Sequence, residues 1–280
     1  MGLRGPRTWG VRVVDEDHAA SVLNAVLDAG INFLDTSPDY GIAEERIGRI
    51  LGHRRDEFLL ATKCGCVPAP MTNGLELSHV WDRDIIRRNV ETSLKRLRTD
   101  HIDVLQFHGG RADVARSRGL IDEMVRLREE RLIGAVGIST SLPEAEAWLD
   151  IPEIDVIQLP YSCLMPAHSE LMRRAKPLGK GIILRGGIAQ GGPNAEIQRP
   201  ALNDVWERAG LERLLPSGMT PEEFLLRATL SHADCDTTIV GTANLDHLLN
   251  NVSAAKRGPL PEELVREIHA RVQSVLPAGK

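Results

Sequence analysis

Along most of the 280-residue chain, short apolar runs alternate with stretches whose apolar residues recur every three to four positions. The runs predict strands buried on both faces; the stretches predict helices with one buried stripe. Strands are expected over 32–36, 57–62, 102–107, 133–138, 154–159, 181–184 and 237–240. Helices are expected over 43–51, 82–98, 120–130, 143–149, 221–232, 245–255 and 261–276. The stripe of the second helix is Ile85, Ile86, Val90, Leu94 and Leu97. Thr220, with Glu223 three residues on, has the spacing of a capping box at the start of 221–232.

Repeated βα alternation implies a parallel sheet with helices packed outside it. The repeating units share little sequence, so the repeat is structural and not that of a solenoid. A length of 280 residues without a Gly/Ser-rich linker predicts one domain, 1–280. The fold class expected is α/β, a (β/α)8 TIM-type barrel. Only seven good strands are visible where such a barrel needs eight; Gly10 to Val14 alternates weakly. The first strand is therefore expected to be missing or truncated at the N-terminus. The stretch 191–219 is rich in Gly, Pro and Asn and breaks the rhythm, as an insertion or lid would.

Composition narrows the picture. Aromatics are 4% against 42% hydrophobic residues overall, so aliphatic strands must supply the core. The net charge of -5 is spread without runs of one sign, which argues against a nucleic-acid or membrane-surface role. The start of the chain has neither a signal-peptide pattern nor the serine or threonine of a myristoylation site, and no apolar run reaches spanning length. The four cysteines thus read as reduced thiols of a cytoplasmic protein. Cys64-Gly65-Cys66 lacks a second ligand pair, so no metal site is expected.

In βα-barrels the chemistry collects at the C-terminal ends of the strands. Those positions here are polar: Asp35, Lys63, His108, then Ser139 and Thr140, with Gln158 inside the fifth strand and Arg185 ending the sixth. The segments Asp35-Thr36-Ser37-Pro38-Asp39-Tyr40-Gly41, Ala61-Thr62-Lys63 and Gln106-Phe107-His108 occur at successive strand ends. In these motifs the chain resembles the aldo-keto reductase family over nearly its whole length. The resemblance implies reduction of an aldehyde or ketone on a small molecule by hydride from NADPH, with NADH as the other option, and without metal. It assigns catalysis to Asp35, Tyr40, Lys63 and His108.

Elementary chemistry agrees with that set. Hydride arriving at a carbonyl carbon leaves charge on oxygen, which requires a proton donor. A free phenol titrates near pH ~10, too high for efficient donation at neutral pH, and an adjacent ammonium favours the phenolate. Lys63 is expected to supply that charge beside Tyr40, and Asp35 to supply the carboxylate a buried lysine needs. His108 is expected to orient the carbonyl oxygen. Taken singly, each has a structural reading: a turn cap, a surface aromatic, a solvated strand end, a core histidine.

The same resemblance implies a cofactor site. Ser139, Thr140 and Gln158 are expected at the nicotinamide carboxamide, where donors and acceptors are both needed. Arg185, where relatives often have tyrosine, is expected to stack on the ring through its planar guanidinium. Gly186, Ile188 and the neighbouring glycines are expected near the pyrophosphate. Gly241, Thr242, His247 and Asn251 are expected at the adenosine end. Relatives commonly carry Lys or Arg there, and this chain does not. Trp9, Trp81 and the 191–219 stretch are candidates for the rim of the substrate pocket. The competing readings are a catalytically impaired cofactor-binding or assembly protein on the same fold, and a lyase or hydrolase on another βα-barrel. The latter would need a metal cluster or paired carboxylates at the strand ends.

Overall fold

The computed structural model describes residues 3, 14–71, 74–189, 191–193 and 200–277. Its strands are β1 (Phe33–Asp35), β2 (Leu59–Cys64), β3 (Cys66–Met71), β4 (Gly74–His79), β5 (Ile102–His108), β6 (Ile133–Ser139), β7 (Val156–Pro160), β8 (Gly181–Arg185) and β9 (Thr237–Ile239). The helices are α1 (Glu16–Asp28), α2 (Ala43–Leu51), α3 (Arg83–Leu97), α4 (Ala112–Ser117), α5 (Leu120–Glu129), α6 (Ala145–Leu149), α7 (Ser169–Ala175), α8 (Pro200–Arg208), α9 (Pro221–Leu230), α10 (Leu245–Lys256) and α11 (Glu262–Val275). The chain divides into two compact units, Met1–Ile157 with Gly241–Leu248, and Gln158–Val240 with Leu249–Lys280.

In the first unit, β1, β2, β5 and β6 lie side by side in that order, all parallel. β7 begins there, with the Asp155 N–H donating to the Val136 carbonyl at 2.8 Å. Leu23 and Leu27 of α1, Ile47 and Leu51 of α2 and Leu97 of α3 form one cluster with Phe58 and Leu60. The close approach of α2 to α3 depends on Gly48, where a Cβ would lie 2.2 Å from the Arg96 carbonyl oxygen. In the second unit β8 and β9 pair in parallel, and the Tyr161 N–H, just past β7, donates to the Arg185 carbonyl. Its core gathers Trp206 from α8, Phe224 and Leu225 from α9, and Ile268 and Val272 from α11.

One device recurs between neighbouring strands. The carboxylates of Asp103, Asp155 and Asp236 accept the backbone N–H of Leu60, Val136 and Ile182 respectively, each at 2.8 Å. A carboxylate on or just before one strand thus accepts an amide of the neighbouring strand, near the start of β2 and β8 for Leu60 and Ile182 and midway along β6 for Val136.

The seven expected strands all form, with ends shifted by up to two residues. The structure departs from the sequence reading elsewhere. α1 was not expected, because its buried face is built partly from a small residue, Ala19, beside Val22, Leu23 and Leu27. The antiparallel hairpin β3–β4 follows β2 where no strand was expected. Two prolines, Pro68 and Pro70, hide the strand signal of β3. The 191–219 stretch is not lid-like throughout. From Pro200 it forms α8, and Val205, Trp206, Ala209 and Leu211 are buried in the core of the second unit. Gln190 and residues 194–199 of that region, Trp9, and the weak strand over 10–13 lie outside the described residues.

Candidate active site

β1, β2 and β5 are neighbours in the first unit, so their C-terminal residues Asp35, Lys63 and His108 converge. The Lys63 ammonium donates to Asp35 Oδ2 at 2.7 Å and to the Thr36 carbonyl at 2.8 Å. The lysine side chain is 1% exposed and the aspartate 6%. Burial, the largest single influence, works against the lysine's charge, but Asp35, Tyr40 and Asp39 together outweigh it and hold the ammonium above its ordinary range. Tyr40 sits in the turn after β1, its N–H bonded to the Ser37 carbonyl, with Gly41 taking the positive φ of 59° that ends the turn. Lys63 Nζ lies 5.1 Å from the Tyr40 ring centroid, and the Tyr40 and His108 rings meet edge to face at 6.1 Å. All four expected catalytic residues are thus brought together.

The structure adds residues that the sequence reading missed. Gln106 in β5 donates to Asp35 Oδ1 at 3.0 Å, so both carboxylate oxygens are held. Gly137 in β6 makes this possible: a Cβ there would lie 2.9 Å from the Gln106 side chain. The alternation of inward-facing strand positions (Lys63 beside Gln106 in register) is the signal that could have found Gln106.

Around His108 Nδ1 stand Asp39 Oδ2 at 3.3 Å, Cys66 Sγ at 3.3 Å and Ser37 Oγ at 3.4 Å. Burial opposes the charge on Asp39, yet hydrogen bonds to His108 and Ser37 hold it below the usual carboxylate range. Burial, reinforced by Asp39, pushes the Cys66 thiol up to about 12. His79 stacks on Trp81 with centroids 6.1 Å apart and meets His108 edge to face at 4.8 Å. Trp81 packs on Phe107 and against Gly65 and Gly110, whose missing side chains leave room for its indole. The expected pocket-rim tryptophan therefore stands next to His79, one ring removed from His108.

Of the expected cofactor residues, Ser139 pairs in register with His108, and both Ser139 and Thr140 are buried. Thr140 Oγ1 donates to the Ser141 carbonyl at 3.5 Å. Gly241, Thr242 and His247 belong to the first unit, at the N-terminus of α10. There Asn244 Oδ1 accepts the His247 N–H, and His18 of α1 contacts the Ala243 carbonyl at 2.5 Å. The first turn of α10 carries Asp246 as its charged residue. In the second unit, Gln158 is buried in β7, Arg185 ends β8, and Gly186 has φ 79°. The amides of Ala189, Gly191 and Gly192 bond to the carbonyls of Gly186 and Ile188 within this turn. These three amides are committed within the turn, which counts against their part in the expected phosphate contact. Asn251 lies along α10 in the second unit. Taken unit by unit, the chemistry fits a nicotinamide dinucleotide: the buried hydroxyls of Ser139 and Thr140 in the first unit suit a carboxamide, and so, by itself, does the buried amide of Gln158 in the second.

Comparison with known proteins agrees with the geometry. The family model described as "Aldo/keto reductase family" matches residues 4–272. The oxidoreductase YqkF of Bacillus subtilis is 27% identical over 92% of this chain and 89% of its own length. L-galactose dehydrogenase of Arabidopsis thaliana is 26% identical over 94% of this chain and 86% of its own. Among solved structures, an aldo-keto reductase from Bacillus halodurans in its holo form superposes with a TM-score of 0.81 at 28% identity, covering 95% of this chain and 90% of that one. The chain belongs to the aldo/keto reductase family. Its fold class is (β/α)8, its activity is that of an aldo-keto-reductase-type oxidoreductase, and the cofactor of its family is a nicotinamide. Among the described residues no helix is long and apolar enough to cross a membrane.

Proposed function

We propose that this chain reduces aldehyde or ketone groups of small molecules with NADPH, using Tyr40 as the proton donor. The observation that carries the reading is Lys63 Nζ held between the Asp35 carboxylate, at 2.7 Å, and the Tyr40 ring, at 5.1 Å. When bound, the reduced nicotinamide supplies the hydride that attacks the carbonyl carbon. Tyr40 gives its hydroxyl proton to the developing alkoxide. The Lys63 ammonium stabilises the phenolate left behind. Asp35 and Gln106 fix Lys63 and its partner oxygen in place, and His108 orients the substrate oxygen. Ser139, Thr140 and Gln158 would hold the carboxamide, Arg185, Gly186 and Ile188 the ring and pyrophosphate side, and Gly241, Thr242, His247 and Asn251 the adenosine side. The first turn of α10 bears Asp246 and His247 and no Lys or Arg. Discrimination between NADPH and NADH is therefore weak in this reading, about tenfold or less.

The test is a fluorescence titration of the purified chain with NADPH and with NADH, followed by turnover of an aldehyde panel. Saturable binding of both, with alcohol formed in step with nicotinamide oxidation, is the expected result. Binding of neither would overturn the reading.

A further inference from the structure

The sequence alone predicts no metal site, because Cys64 and Cys66 lack a second ligand pair at useful spacing. The fold instead gathers three partners around Cys66, without Cys64. Cys66 in β3 and His79 in β4 are register partners across the hairpin. Partners in an antiparallel pair carry their side chains on the same face. Asp39, in the turn after β1, and His108, at the end of β5, reach the same point. One ligand atom from each of the four residues lies within 4.8 Å of every other.

We propose that Asp39, Cys66, His79 and His108 form a binding site for a divalent cation of the zinc type. The donor set is one carboxylate, one thiolate and two imidazoles, the mixture that a borderline-soft, four-coordinate ion takes. Ligand atoms at ~2.0–2.3 Å from a tetrahedral ion stand about 3.3–3.7 Å apart. His108 Nδ1 already stands 3.3 Å from Asp39 Oδ2 and 3.3 Å from Cys66 Sγ. A second observation points the same way. Asp39 is buried, and its Oδ1 has no hydrogen-bond partner. A buried anionic oxygen without a donor is costly, and a cation removes that cost. His79 is the exposed member of the set and gives the ion a route from solvent. On binding, the Cys66 S–H bond breaks, the sulfur's electron pair goes to the ion and the proton leaves to the buffer. The ion takes up the Nδ1 side of His108. The site stands whether or not the chain is a carbonyl reductase, because no cofactor or substrate takes part in it.

The test uses the full chain, stripped with a chelator and titrated with Zn²⁺ by calorimetry and with Co²⁺ by absorption spectroscopy. The expected result is one ion per chain, with a thiolate-to-Co²⁺ charge-transfer band in the near ultraviolet. Cys66→Ala abolishes the band, and His79→Ala weakens Zn²⁺ binding at least tenfold. His79 is exposed, so its variant tests the site even if Cys66→Ala fails to fold. No uptake by the wild-type chain would overturn the proposal. So would a band that survives Cys66→Ala, which would place the thiolate elsewhere, or an affinity indifferent to His79→Ala.

Discussion

The Lys63 ammonium and the Asp35 carboxylate stand 2.7 Å apart with almost no water around either. A buried pair of this kind contributes little net stability, but breaking it strands a charge. Asp35→Asn leaves the ammonium with the Thr36 carbonyl and a neutral amide. The variant is expected to lose about 3–5 kcal/mol of stability. Adding Lys63→Met removes the stranded charge, and the double variant is expected to recover a large part of the loss in urea unfolding. A double variant no more stable than Asp35→Asn would show that the pair is not coupled as described.

Glu44 is a second buried carboxylate, and it behaves in the opposite sense. Burial raises its pKa above the ordinary value, and the hydrogen bond from Thr62 with the charge of Arg96 offsets this only in part. The Thr62 hydroxyl donates to it at 2.7 Å. The folded chain therefore keeps the proton at pH values where the unfolded chain has lost it. The contribution to stability is present below the ordinary carboxylate value and is lost as pH rises through the folded one. Glu44→Gln keeps the acceptor for Thr62 and removes the charge. It is expected to match the wild type at about pH 4 and to be more stable by about 1 kcal/mol at neutral pH, since no charge then has to be buried. Chemical denaturation at the two pH values measures the difference; a gain that shrinks as pH rises would reverse the sign and contradict the account.

The α8 segment separates the structure from the sequence reading most clearly. Trp206 is buried against Phe224, their rings edge to face at 5.8 Å. Trp206→Ala is expected to cost about 3–5 kcal/mol. A lid residue would show almost no loss in thermal or denaturant unfolding.

The strands were legible because aliphatic runs buried on both faces leave a plain pattern, and α2 was legible to the residue. The convergence of Asp35, Lys63 and His108 was legible because polar residues at the ends of apolar strands stand out, whereas Tyr40, in the turn after β1, was reached through the resemblance of the Asp35–Gly41 motif. What escaped depends on partners distant in sequence. Gln106 reads as one polar residue in a strand until Gly137 opens the space through which it reaches Asp35. Cys66 and His79 are thirteen positions apart and become neighbours only through a hairpin whose prolines disguise it. α8 follows a Gly/Pro-rich stretch, and a single apolar face of nine residues is too short to announce itself there.

The central claim is that Tyr40, charged against by Lys63 and set beside His108, delivers the proton. The most direct measurement compares wild type and Tyr40→Phe in two assays on the same preparations, nicotinamide binding by fluorescence and aldehyde reduction by loss of NADPH absorbance. The account predicts equal cofactor affinity and a fall in kcat of about 10²–10⁴-fold in the variant. Unchanged turnover in Tyr40→Phe would contradict it.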